Sequence, residues 1–138
     1  MKIHVRAYSE NDRPGLTALW NRVFPNPAAH NKPERILDEK LAVQADLIFV
    51  AMDKDTVVGS VIAGYDGHRG WLNLLAVSVE YRKRGVGAML VEHAVKELNL
   101  LGCHKVNIQI REGNNEVQQF YEKLGFAVEP RTSMGKHI

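Results

Sequence analysis

The chain has 138 residues, 45% of them hydrophobic and 25% charged, the balance of one folded domain over residues 1–138 and not of a disordered chain. Eighteen Lys and Arg against sixteen Asp and Glu leave a net charge of +2, which argues against a general binder of nucleic acid or anionic membrane. Cys103 is the single cysteine, so no intramolecular disulfide can form, and a reducing, cytoplasmic setting is expected.

Ile3, Val5 and Ala7 alternate with polar residues and predict a half-exposed first strand. Ser9 to Asp12 is a helix-start pattern, followed by Leu16, Leu19, Trp20 and Val23 at helical spacing, which makes Trp20 a core residue. Pro25 and Pro27 break the chain, and Asn31-Lys32-Pro33-Glu34 reads as a second capped start leading through Ile36, Leu37 and Leu41. Leu47 to Met52, the turn Asp53-Lys54-Asp55 and Val57 to Ala63 predict an antiparallel hairpin. The turn Tyr65 to Gly70 then leads into a strand over Trp71 to Val77, completing a meander. No apolar stretch is long enough to cross a bilayer, and the charged opening residues lack the apolar run of a secretory leader.

Beyond Val77 the period changes. Gly85 opens a helix with Leu90, Val91, Ala94, Val95, Leu98 and Leu101 on one face, stopped by Gly102. Val106, Ile108 and Ile110 alternate as a strand, Asn114 or Asn115 caps a short helix ended by Gly125, and a last strand or two is expected from Phe126 onward. Strand, helix, strand over Trp71 to Arg111 is a crossover, so those two strands should be parallel in a mostly antiparallel sheet. The expected architecture is an α+β fold with a mixed sheet, about four helices and six to seven strands.

The chemically informative segment is Arg82-Lys83-Arg84-Gly85-Val86-Gly87-Ala88, between a strand and a helix. Three cations precede two glycines at a helix N-terminus, where first-turn N–H groups lack intrahelical acceptors and the helix dipole is positive. Glycine lets a phosphate approach the main chain, and the cations neutralise its charge. A site for a phosphorylated ligand follows, with a basic loop that merely caps the helix as the plainer reading. The P-loop pattern is absent, and the dinucleotide pattern fails because Leu90 stands where its third glycine belongs. The six histidines show no metal-ligand spacing, and Cys103 reads as a small buried filler.

Leu75-Ala76-Val77 and Glu80-Tyr81-Arg82-Lys83-Arg84-Gly85-Val86-Gly87 resemble motif A of the GNAT superfamily of N-acetyltransferases, whose core is [QR]-x-x-G-x-[GA]. Asn114 followed by Phe120-Tyr121-Glu122-Lys123-Leu124-Gly125-Phe126 resembles a later segment of that family, and the resemblance covers nearly the whole chain. The turn Gly64 to Gly70 is further similar to a YpeA-like bacterial subgroup. The resemblance implies transfer of an acetyl group from acetyl-coenzyme A, a cosubstrate, to a primary amine on a small molecule, a peptide N-terminus or a lysine, by direct attack in a ternary complex without a metal.

It also implies residue roles. Main-chain groups of Leu75, Ala76 and Val77 would pair with the pantetheine arm, and N–H groups from Lys83 through Ala88, flanked by Arg82 and Arg84, would hold the diphosphate. Asn114 would bond the pantetheine region, with a simple helix cap as its plainer role, and Tyr121 would be the general acid to the departing thiolate, with core packing beside Phe120 as the alternative. Where one branch of the family carries a glutamate base, this chain has Gln109; Glu112, Asp66, His68 and Glu80 are substitutes, or solvent alone. The departure at Gln109 motivates a second hypothesis, a non-catalytic acyl-coenzyme A binder. A third, a basic interaction module, is disfavoured by the near-neutral charge. A homodimer is common in the family.

Overall fold

The computed structural model describes residues 2–138, which form two compact units, one ending at Ile108 and the other spanning Gln109–Ile138. In the larger unit the predicted first strand is Ile3–Ala7 (β1). The helix-start pattern at Ser9 opens a single 3-10 turn, Glu10–Asp12, ahead of the α-helix. There the Ser9 N–H donates to Asp12 Oδ2 at 2.8 Å, and the Asp12 N–H donates to the Ser9 carbonyl at 2.8 Å. Arg6 donates to both carboxylate oxygens of Asp12, at 2.7 and 2.8 Å, tying the turn to β1.

Helix α1 is Arg13–Val23, with proline in its first turn, where a missing N–H removes no helical bond. Helix α2 is Pro33–Gln44, and its N-cap is Lys32. The cap expected at Asn31 is therefore corrected: Asn31 closes a separate 3-10 turn, and Pro33, with φ already set for a helix, starts α2 without a side-chain cap.

The meander is present as β2 (Ile48–Asp53), β3 (Thr56–Tyr65) and β4 (Gly70–Val77), all antiparallel, with β1 paired to β2. Helix α3 (Val86–Leu100) then crosses over to β5 (Val106–Asn107), which pairs in parallel with β4 as the crossover requires. The sheet order is β1-β2-β3-β4-β5. Leu101, expected on the apolar face of α3, lies just past its end and is exposed, while Gly102 takes the left-handed φ of +98° that stops the helix.

Strand alternation sorts the core into two faces. Ile48, Val50 and Met52 of β2 pack with Leu16, Leu19 and Trp20 of α1 and Leu37 of α2. Phe49, pointing the other way, meets His93 of α3 edge-on at 4.9 Å between ring centroids. Gly59 of β3 shows how tightly α3 sits on that face. A Cβ there would lie 2.9 Å from Leu90 Cδ1 and 3.1 Å from the Ala76 carbonyl oxygen.

In the smaller unit, Asn114 caps helix α4 (Asn115–Lys123) by accepting the Val117 N–H at 3.3 Å. Tyr121 packs edge-to-face against Phe120 at 5.0 Å and Phe126 at 5.3 Å. Five strands are present among the described residues, fewer than the six to seven expected. The alternation at Val106, Ile108 and Ile110 yields sheet pairing only at Val106 and Asn107, and no strand follows Phe126. In that tail Pro130 has no N–H to give a ladder, and Val128 and Met134 remain exposed, so no apolar face is buried by strand pairing.

Candidate functional site

The β4 edge is shaped by a bulge. Ser60 stands opposite Ala76 and Ile62 opposite Asn73, so Leu74 and Leu75 together face the single residue Val61. Leu74 takes a φ of +53°, uncommon for a side chain of this size, and bends the strand at this point. On its other side β4 pairs with β5 only at Gly70 and Trp71. From Leu72 to Val77 that side of β4 has no sheet partner among the described residues, and this stretch holds Leu75, Ala76 and Val77. The Val77 carbonyl accepts a hydrogen bond from Arg82 Nε at 3.3 Å.

The free edge runs directly into the basic loop. Val79–Tyr81 forms a 3-10 turn held by Tyr81 N–H to the Ser78 carbonyl at 2.9 Å. Arg82, Lys83, Arg84 and Gly85 are exposed, and Val86 is buried as the first residue of α3. Gly85 has φ +80°, and a Cβ added there would meet no atom within 4 Å, so glycine is required by backbone conformation and not by space. The Met89 N–H is the one that bonds the Gly85 carbonyl, at 3.0 Å. The N–H groups of Val86, Gly87 and Ala88 therefore precede the first bond of the helix and point out of its positive end. A short run of chain thus carries a strand edge unpaired among the described residues, three cations and a helix mouth, groups able to bond an extended chain with an anionic end.

The carboxylates expected as bases have structural partners. Asp66 Oδ1 accepts the N–H groups of His68 at 2.8 Å and Arg69 at 2.7 Å, and these bonds hold its pKa below the usual carboxylate range. Glu80 Oε2 accepts from Ser78 Oγ at 2.6 Å, a bond that likewise lowers its pKa. Both are thereby poorer proton acceptors. His68 is exposed on the same turn as Asp66. Tyr81 donates its phenol proton to Asp53 Oδ2 at 2.6 Å, and the Arg84 guanidinium lies 5.8 Å from the centre of the Tyr81 ring.

The remaining candidates lie in the smaller unit. Asn114 acts as the α4 cap, Gln109 Nε2 donates to Ser133 Oγ at 2.6 Å, and Glu112 is exposed. Tyr121 is buried to 7% exposure, and burial pushes its phenol pKa up to about 12. Among the described residues no group of three or more His, Cys, Asp or Glu is placed to hold a metal ion, and no helix is long and apolar enough to cross a membrane. Trp71, half-buried, is one of the two β4 residues paired with β5. Cys103 is buried beside Gly70, where an added Cβ would lie 2.8 Å from its sulfur, in keeping with a small filler.

The sequence pattern of the Acetyltransferase (GNAT) family matches residues 13–126. An acetyltransferase of Yersinia pestis (strain Pestoides F) is 36% identical over 137 residues, 99% of this chain and 96% of that protein. The chain belongs to the GNAT family of acetyltransferases. It is an acetyl-coenzyme A-dependent acetyltransferase by that membership.

The fold agrees. The structure of the aminoglycoside N-acetyltransferase AAC(6')-Iy with the bisubstrate analogue CoA-S-monomethyl-acetylneamine superposes with a TM-score of 0.81 at 19% identity, covering 100% of this chain and 99% of that one. The NatC complex bound to Gag peptide and CoA gives 0.79 at 21% identity, covering 92% and 86%. One of these structures holds a bisubstrate analogue and the other a peptide with CoA, and what they share with this chain is the fold.

Proposed function

We propose that the helix mouth at Val86, Gly87 and Ala88, with Arg82, Lys83, Arg84 and Gly85, holds the diphosphate of acetyl-coenzyme A. The free edge of β4 at Leu75, Ala76 and Val77 takes its pantetheine arm in the same reading. The observation that carries it is continuity: a strand edge without a partner ends at three exposed cations and a glycine-opened helix. Bound there, the thioester supplies an activated acetyl carbonyl, and the chain's work is to place it against an amine.

Residues 1–138 act as one catalytic domain in this reading, with Asn114 bonding the pantetheine region and Tyr121 protonating the departing thiolate. A phenol whose pKa is raised to about 12 stays protonated at neutral pH and keeps its proton for transfer. The structural engagement of Asp66 and Glu80 supports a mechanism without a side-chain base, in which the amine reaches the site neutral through solvent. The acceptor is a primary amine on a small molecule, a peptide N-terminus or a lysine. The free, buried Cys103 supports a cytoplasmic setting. Sedimentation of the free protein checks the homodimer expected from the family.

Thermal unfolding with and without acetyl-coenzyme A tests the donor site. A native-state ligand at 100 times its Kd adds about 2.7 kcal/mol, and no shift at saturation would remove the proposed site. Thiol release with a panel of amines then separates turnover from the second reading, a non-catalytic acyl-coenzyme A binder. That reading is favoured only by Gln109, an amide engaged with Ser133 where one branch of the family carries a base.

A further inference from the structure

The basic loop leaves the sheet at Ser78, whose N–H donates to the Val58 carbonyl at 2.8 Å, and enters α3 at the buried Val86. Between them Lys83 and Gly85 both take left-handed φ values, +62° and +80°. Tyr81 bridges this interval. Its hydroxyl crosses to the far end of the β2–β3 hairpin and donates to Asp53 Oδ2 at 2.6 Å, a contact between residues 28 positions apart. On the other side the Arg84 guanidinium stands 5.8 Å from the centre of the same ring, within reach of a cation–π attraction.

We propose that Tyr81 is a positioning residue for the diphosphate: anchored to the hairpin through Asp53, its ring carries Arg84 and fixes the loop that aims the N–H groups of Val86, Gly87 and Ala88. The inference rests on the donor site proposed above and adds a named device to it. The anchor is specific because Asp53 is set by the two-residue turn, where Lys54 has φ +53° and Asp53 pairs with Thr56 across the hairpin. An aspartate acceptor makes the Tyr81 bond charge-assisted, and so firmer than a bond between neutral groups. The raised pKa of the Tyr81 phenol, caused first by its bond to Asp53, keeps the donor protonated.

Calorimetric titration with coenzyme A, and in parallel with pantetheine, tests this on wild type, Tyr81→Phe, Asp53→Ala and the double variant. Tyr81→Phe keeps the ring and loses the hydroxyl, so it should raise the Kd for coenzyme A by about fivefold, the worth of one partly exposed hydrogen bond. Asp53→Ala should do the same, the double variant no more than either, and Asp53→Asn, which retains an acceptor oxygen, should recover most of the loss. Pantetheine, which has no diphosphate, should bind all of them alike. Unchanged coenzyme A affinity in Tyr81→Phe, or an equal loss for pantetheine, overturns the positioning role while leaving the donor site standing. Wild type that does not bind coenzyme A overturns the donor site itself.

Discussion

The indole N–H of Trp20 on α1 donates to the Ser60 hydroxyl on β3 at 2.8 Å, with both side chains buried. The same hydroxyl lies 3.5 Å from the carbonyl of Leu74, the residue whose left-handed backbone makes the β4 bulge. One small polar side chain thus joins the helix layer, the middle of the sheet and the strand edge assigned to the donor. Ser60→Ala leaves the indole N–H buried without its partner and should cost about 1–3 kcal/mol. Urea unfolding would show this as a lower midpoint with the same slope. An unchanged midpoint would mean that the bond contributes nothing net.

Gly87 sits in the first turn of α3, where a glutamate side chain would bring bulk and negative charge to the assigned phosphate position. Gly87→Glu should weaken coenzyme A binding by about tenfold or more, a change of about 1.4 kcal/mol. Its effect on the free protein should be small, because the position is only partly buried. Unaltered affinity in a folded variant would move the diphosphate elsewhere.

Tyr121→Phe should lower kcat by about a hundredfold, the lower range for a lost general acid, and leave coenzyme A affinity nearly intact. Equal loss in both would make the residue structural. Its titration offers an independent reading. The unfolded chain ionises tyrosine near pH 10, whereas the folded protein holds this proton until about 12. The native state therefore binds more protons across that window, and stability should fall as pH rises through it. The Phe variant should lack this part of the fall.

Asp12 supplies the opposite case at low pH. Its bond to Arg6 comes first among the causes that lower its pKa, aided by the Ser9 N–H, against a burial effect that raises it. A carboxylate depressed on folding stabilises the protein above its unfolded pKa of about 3.9 and loses that contribution as pH falls through the folded value. Asp12→Asn should weaken this dependence in acid unfolding followed by circular dichroism. Truncation to alanine should cost about 1–2 kcal/mol near neutrality, through the lost cap and pairing. An acid limb identical to wild type in Asp12→Asn would remove the assignment.

Periodicity made most of the larger unit legible. The three-four spacing from Leu90 to Leu98 reports burial on one face, which is what folding selects, whereas in β1 the alternation holds at Ile3 and Val5 and fails at Ala7, which is exposed. The start of α3 was legible because Gly85 stands where the strand period gives way to the helical one. The bulge was not, since Leu74 carries no residue-type signal for a positive φ. Nor was the Tyr81–Asp53 bond, which depends on the hairpin turn reaching the loop in space. Beyond Asn107 the apolar alternation continued while the pairing stopped, because alternation reports a face and not the presence of a neighbouring strand. The acceptor left no pattern in Val23 to Lys32, a segment of short turns and prolines.

The most direct measurement is an amide-resolved NMR titration of the protein with coenzyme A. The N–H signals of Val86, Gly87 and Ala88 should move most, together with Gly85, and the Arg84 side chain should follow them at the same half-saturating concentration. Saturable binding with those amides unmoved, and the shifts gathered on another element, would contradict a diphosphate held at the mouth of α3.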